Sequence, residues 1–114
     1  MGVFKQLFGR TPAQLPPELV GCWHLTQSDD PSIEPAEMDF RADGHLYYSV
    51  DAGDRWQIIK LVWRVEGAMI VSDQPSASRQ ERTPFAFDEA GLLVLEFRGH
   101  RSRFRRGPKR APDV

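Results

Sequence analysis

The chain predicts an all-β fold, a small antiparallel up-and-down β-barrel of about eight strands with a short N-terminal helical turn. Three observations predict it. Between residues 20 and 106 apolar side chains recur with a period of two, turn-forming residues arrive about every ten positions, and no segment of helical period competes beyond the first few residues. Consecutive antiparallel strands in an open sheet leave two unpaired edges, and closure into a barrel removes both.

Residues 1–19 read as an arm. Val3, Phe4, Leu7 and Phe8 repeat at helical spacing, and Pro12, Pro16 and Pro17 forbid continuation, so a single helical turn covering a core is expected there. Strands follow at about 20–26, 36–42, 45–50, 55–65, 68–73, 81–87, 92–97 and 101–106. Asp43-Gly44 and Glu66-Gly67 fit two-residue hairpin turns, where glycine supplies the positive φ of a primed turn. Phe40-x-x-x-Gly44-x-Leu46 recurs as Phe87-x-x-x-Gly91-x-Leu93, as two equivalent hairpins would require. The barrel is assigned to residues 20–107, and residues 108–114 to a flexible tail.

Alternation names the two faces. Trp23, Leu25, Met38, Phe40, Leu46, Tyr48, Ile59, Leu61, Trp63, Thr83, Phe85, Leu93, Leu95, Ser102 and Phe104 share the inward parity, whereas Asp39, Lys60, Arg64, Arg82, Glu96, Arg101, Arg103 and Arg105 share the outward one. The stretch 68–73 fits either parity. In a meander alternate connections lie at the same end, so the tight turns gather at one end and the long segments 27–35 and 74–80 at the other. Long loops on a rigid scaffold make that open end the candidate functional end.

A length of 114 residues suits one domain, and 40% hydrophobic with 27% charged residues excludes a disordered chain. The single cysteine, Cys22, excludes an internal disulfide framework and a Cys-rich zinc site. Leu19-Val20-Gly21-Cys22 has the short pattern of a lipidated cysteine, but the segment upstream is too polar for the apolar stretch such a signal needs. No window approaches the roughly 20 apolar residues of a membrane span. A cytoplasmic protein is expected. The formal net charge of −1 hides a division: residues 1–97 hold eight Lys/Arg against fifteen Asp/Glu, and residues 98–110 hold seven Lys/Arg and no acid.

Gly21-Cys22-Trp23 resembles the Gly-x-Trp that opens the first strand in the calycin superfamily, in particular in small bacterial lipocalin-like domains. The resemblance covers about residues 15–107. It implies a basic residue late in the last strand packed across the tryptophan, a role that Arg106 fits by parity and by end. It also implies a short helical turn closing the barrel. The strands are shorter than is typical of lipocalins, and no long helix follows the last of them.

An eight-stranded barrel is just wide enough to be filled by side chains or to hold one small ligand. The candidate ligand-binding residues are the inward aromatics Phe40, Tyr48, Trp63 and Phe85 and the inward polar residues Gln57, Thr83 and Ser102; Trp23 and Arg106 are structural candidates. No catalytic set is found, since no Ser–His–acid arrangement, nucleophile elbow or phosphate-cradling loop is present. No metal site or cofactor is assigned: His24, His45 and His100 fall at separate places, and Cys22 with His24 is a pair where three or four ligands are needed. Arg101, Arg103 and Arg105 form an outer row whose natural partners are acids on neighbouring strands, which argues against nucleic acid. The expected function is non-catalytic binding of a small apolar or amphipathic ligand at the open end. The alternative is a protein-recognition module, such as an inhibitor or immunity protein that neutralises an enzyme or toxin through its loops. Either fits a monomer or a homodimer.

Overall fold

The computed structural model describes residues 15–77 and 79–112, so the helical turn expected around Val3 to Phe8 lies outside the described residues. Eight strands run in chain order: β1 (Gly21–Ser28), β2 (Ala36–Phe40), β3 (His45–Asp51), β4 (Trp56–Glu66), β5 (Met69–Gln74), β6 (Arg79–Phe87), β7 (Leu93–Phe97) and β8 (His100–Arg106). Each pairs antiparallel with the next, and β8 returns to β1 to close the barrel. No expected strand boundary is displaced by more than two residues. The β4–β5 turn falls one residue late, at Gly67-Ala68, because Glu66 still pairs with Met69. No helix among the described residues is long and apolar enough to cross a membrane.

The seam between β1 and β8 explains the Gly-x-Trp motif physically. Trp23 stands opposite Arg106, and the guanidinium lies 4.4 Å from the ring centroid, a cation–π stack. Arg106 also donates to the backbone carbonyls of Val20 (2.6 Å) and Glu18 (2.5 Å), while the Trp23 indole N–H donates to Leu19 (2.9 Å). These bonds tie the segment before β1 to the last strand. Gly21 has φ +133°, and a Cβ there would sit 2.4 Å from Arg106 Nη1. Only glycine admits both that backbone and that arginine.

The core fills the end of the barrel that bears the tight turns. Leu19, Phe40, Leu46, Trp63 and Leu93 are all but inaccessible, and Phe40 meets Trp63 edge to face at 5.0 Å between centroids. Trp63 is fixed further by its indole N–H, which donates to the Arg41 carbonyl at 3.0 Å. Leu15 and Leu19 of the arm pack on this cluster.

The tail expected to be flexible from residue 108 is instead bound to the outer wall as far as Ala111. Gly107 N–H donates to the Cys22 carbonyl (3.0 Å), and His24 Nε2 lies 2.5 Å from the Pro108 carbonyl oxygen. The Glu37 carboxylate then accepts from the backbone N–H of Arg110 (2.8 Å) and of Ala111 (3.3 Å), with Lys109 Nζ 3.7 Å away. Glu37 is 1% exposed and Ala111 5%. A buried carboxylate must be neutralised and hydrogen-bonded, and the tail supplies both donors and countercharge.

Candidate functional site

The open end contains a cavity of about 280 Å³, roughly the liquid volume of nine waters. Its walls are largely apolar: Met38, Leu46, Leu61, Ile70, Leu95 and Phe104 line the lower part. The residues at its mouth come from the connections after β1 and β7 and from the facing ends of β5 and β6, the end expected from the meander. The barrel is therefore packed at one end and hollow at the other.

The candidate ligand residues divide accordingly. Tyr48, Thr83 and Ser102 line the cavity. Phe40 and Trp63 belong to the packed end, and Phe85 packs against that core and meets Phe87 edge to face. Gln57, opposite Val50 near the start of the eleven-residue β4, is exposed and outside the lining. Parity identifies the face of a side chain but not its depth along a staggered barrel, so four inward assignments of seven fall outside the cavity.

Burial pushes the Tyr48 hydroxyl above the usual tyrosine range, and the Glu34 carboxylate adds to the shift. Tyr48 is therefore a neutral phenol and can donate or accept. The Ser102 hydroxyl donates to Ser28 Oγ at 2.8 Å.

One wall was not foreseen. On the inner face of β5 and β6, Ser72 stands opposite Glu81 and Gln74 opposite Arg79, and all four line the cavity. The signal was the parity of Thr83 and Phe85 continued backwards through Glu81 to Arg79. Around the mouth, His100 is held by Asp29 (3.1 Å), and Asp30 accepts from the backbone and hydroxyl of Ser32 (2.9 and 2.7 Å). Arg98 lies in the two-residue β7–β8 turn with φ +53° and stacks on Phe97 at 5.0 Å. That backbone is rare for a residue with a side chain.

A second cluster lies on the outer wall. Cys22, His24 and Glu37 bring one donor atom each to within 4.8 Å of one another, with Glu37 directly opposite His24. Cys22 and His24 share the outer face of β1, and the third member comes from the neighbouring strand, which alternation within one strand does not reveal. Its donors are engaged by the tail: Glu37 by two backbone N–H groups and Lys109, His24 by Pro108. This makes the cluster a clasp for residues 107–111.

Burial pushes the Cys22 thiol up to about 12, and the Glu37 and Asp39 carboxylates reinforce the shift. The folded protein keeps a proton that the unfolded chain releases near pH ~9, so the stabilisation is complete below that pH and is lost as pH rises towards 12. Between pH ~8 and ~10.5 the native protein should lose about 2 kcal/mol more unfolding free energy than Cys22→Ala. Parallel urea titrations of the two proteins measure this, and equal slopes contradict it.

The basic last strand is largely neutralised. Arg101 pairs with Glu96 (2.5 Å), Arg103 with Asp88 (3.3 Å), and Arg106 turns to Trp23. Arg105 and Arg106 keep exposed residues with no described ion pair, and Arg106 is engaged by the stack and the two carbonyls. Comparison of the chain with protein-family models, with curated proteins and with solved structures returns no match.

Proposed function

We propose that this protein is a non-catalytic carrier or sensor that binds one small amphipathic molecule in the open end of a calycin-like barrel. The observation that supports it most is the cavity, about 280 Å³ of largely apolar space entered from one end. A barrel folded only for stability gains by filling such a space, since a void costs dispersion contacts along its whole lining. Tyr48, Ser72 and Thr83 place hydroxyl groups against apolar walls, the composition of sites that orient a small ligand. The Trp23–Arg106 stack supports the calycin relationship. A cytoplasmic setting suits a chain with one protonated, buried thiol.

Calorimetric titration with 1-naphthol tests the reading. The native protein is expected to bind with a dissociation constant below about 1 mM. Leu61→Trp, which fills the cavity from a lining position, is expected to weaken binding at least about tenfold while leaving circular dichroism unchanged. Equal heats from both proteins contradict the cavity as the site. A second reading, recognition of a protein through the same end, is favoured by Phe97, 45% exposed at the rim beside Arg98.

A further inference from the structure

We propose that the ligand is an apolar α-amino acid, seated with its side chain inward, its ammonium group at Glu81 and its carboxylate at Arg79. The inference rests on the ligand-binding reading above and concerns the chemistry of the ligand's head. The inner face of β5–β6 is polar where the rest of the lining is mainly apolar, and its four cavity residues form two directly opposed pairs, Ser72 with Glu81 and Gln74 with Arg79. Neither Arg79 nor Glu81 forms an ion pair or side-chain hydrogen bond with another described residue, although they lie two apart on one face of one strand.

The order of charges along β6 sets the orientation. Exposure rises from Thr83, which is buried, through Glu81, which is half-buried, to Arg79, which is exposed. Outward from an apolar body resting on Leu46, Ile70 and Leu95, the wall presents hydroxyl groups, then a carboxylate, then a guanidinium at the mouth. The complementary molecule has an apolar end, then a cation, then an anion. An α-amino acid carries both charged groups on the Cα that bears its apolar side chain, so its ammonium can face Glu81 while its carboxylate turns outward to Arg79, whereas a phosphocholine head fixes the reverse order. A simple fatty acid leaves Glu81 without a partner and places an anion beside it. The mouth as a whole matches a zwitterion better than a single charge, since Arg79 and Arg98 are balanced by Glu81 and Asp30. The cavity of about 280 Å³ limits the body to the size of one large side chain.

The test uses four molecules with one skeleton: L-tryptophan, tryptamine (no carboxylate), indole-3-propionate (no amine) and 3-ethylindole (neither). Calorimetric titration of the full chain is expected to give L-tryptophan about tenfold tighter binding than tryptamine or indole-3-propionate, the effect of one charge-assisted hydrogen bond. Glu81→Gln should weaken L-tryptophan about tenfold and, by removing the carboxylate beside its anion, leave indole-3-propionate no weaker than before. Arg79→Gln should do the corresponding thing with tryptamine, with circular dichroism confirming that both variants fold. If any of the three analogues binds as tightly as L-tryptophan, the head is not recognised and the proposal fails while the barrel remains a ligand binder. If none of the four binds while 1-naphthol does, the proposal fails alone; if 1-naphthol does not bind either, the ligand-binding reading fails with it.

Discussion

Trp23→Ala is expected to lower the unfolding free energy by about 4 kcal/mol, the range for removing a large buried aromatic. Trp23 is 2% exposed and stands at the start of the first strand where the barrel closes. Truncation leaves a cavity against Phe87, whose ring centroid is 5.9 Å away, frees the Leu19 carbonyl, and removes the ring beneath Arg106. Arg106→Ala should cost less, about 1–2 kcal/mol, because its stack and its two carbonyl bonds lie at an exposed edge. Denaturant unfolding of the two single variants and the double variant isolates the coupling, expected at about 0.5–2 kcal/mol. A coupling near zero would show that the stack in the structure does not stabilise the seam.

Glu37→Ala is the second large effect, about 3–5 kcal/mol, the cost of breaking a buried charge network from one side. The substitution leaves the N–H groups of Arg110 and Ala111 without an acceptor and Lys109 without its carboxylate. Glu37→Gln keeps an acceptor for the two N–H groups and should cost only about a third as much. Limited proteolysis reads the local consequence. The native chain should resist cleavage between 107 and 112, and the Ala variant should be cut there before the barrel is. A variant as resistant as the native protein would mean that apolar contacts, such as those of Ala111, hold the tail without the carboxylate.

The barrel was legible because its determinants are local. Asp43-Gly44 announces a turn wherever it occurs, and the alternation of Leu46, Tyr48 and Val50 needs no knowledge of other strands. Strand β5 was ambiguous for a physical reason: Ile70 and Val71 point to opposite faces, and both are buried, at 2% and 1% exposure. The start of β6 was placed late because Arg79 and Gln80 break the apolar alternation. Arg79, with Glu81 two positions on, belongs to the polar wall of the cavity, so the deviation from pattern was the functional signal. The Glu37 clasp was illegible in principle. Glu37 lies among charged residues on an outward face, and what buries it comes from more than seventy positions further along the chain. The cavity was located by its end and its parity, but depth depends on strand stagger, which alternation does not encode.

The β1–β8 seam has a consequence for how the chain is made. The seam pairs residues about eighty positions apart, such as Trp23 with Arg106. Seven strands can form as successive hairpins while synthesis proceeds, but none of the seam contacts exists until residues 100–106 have left the ribosome. Until then β1 and β7 present unpaired edges to the cell, and the ordering cost of a long loop has been met with no return. Closure is therefore the late, slow event of folding, as expected of topologies dominated by non-local pairs. A nascent chain stalled before His100 is an open sheet with two adhesive sides, and its characteristic fate is aggregation rather than a smaller barrel.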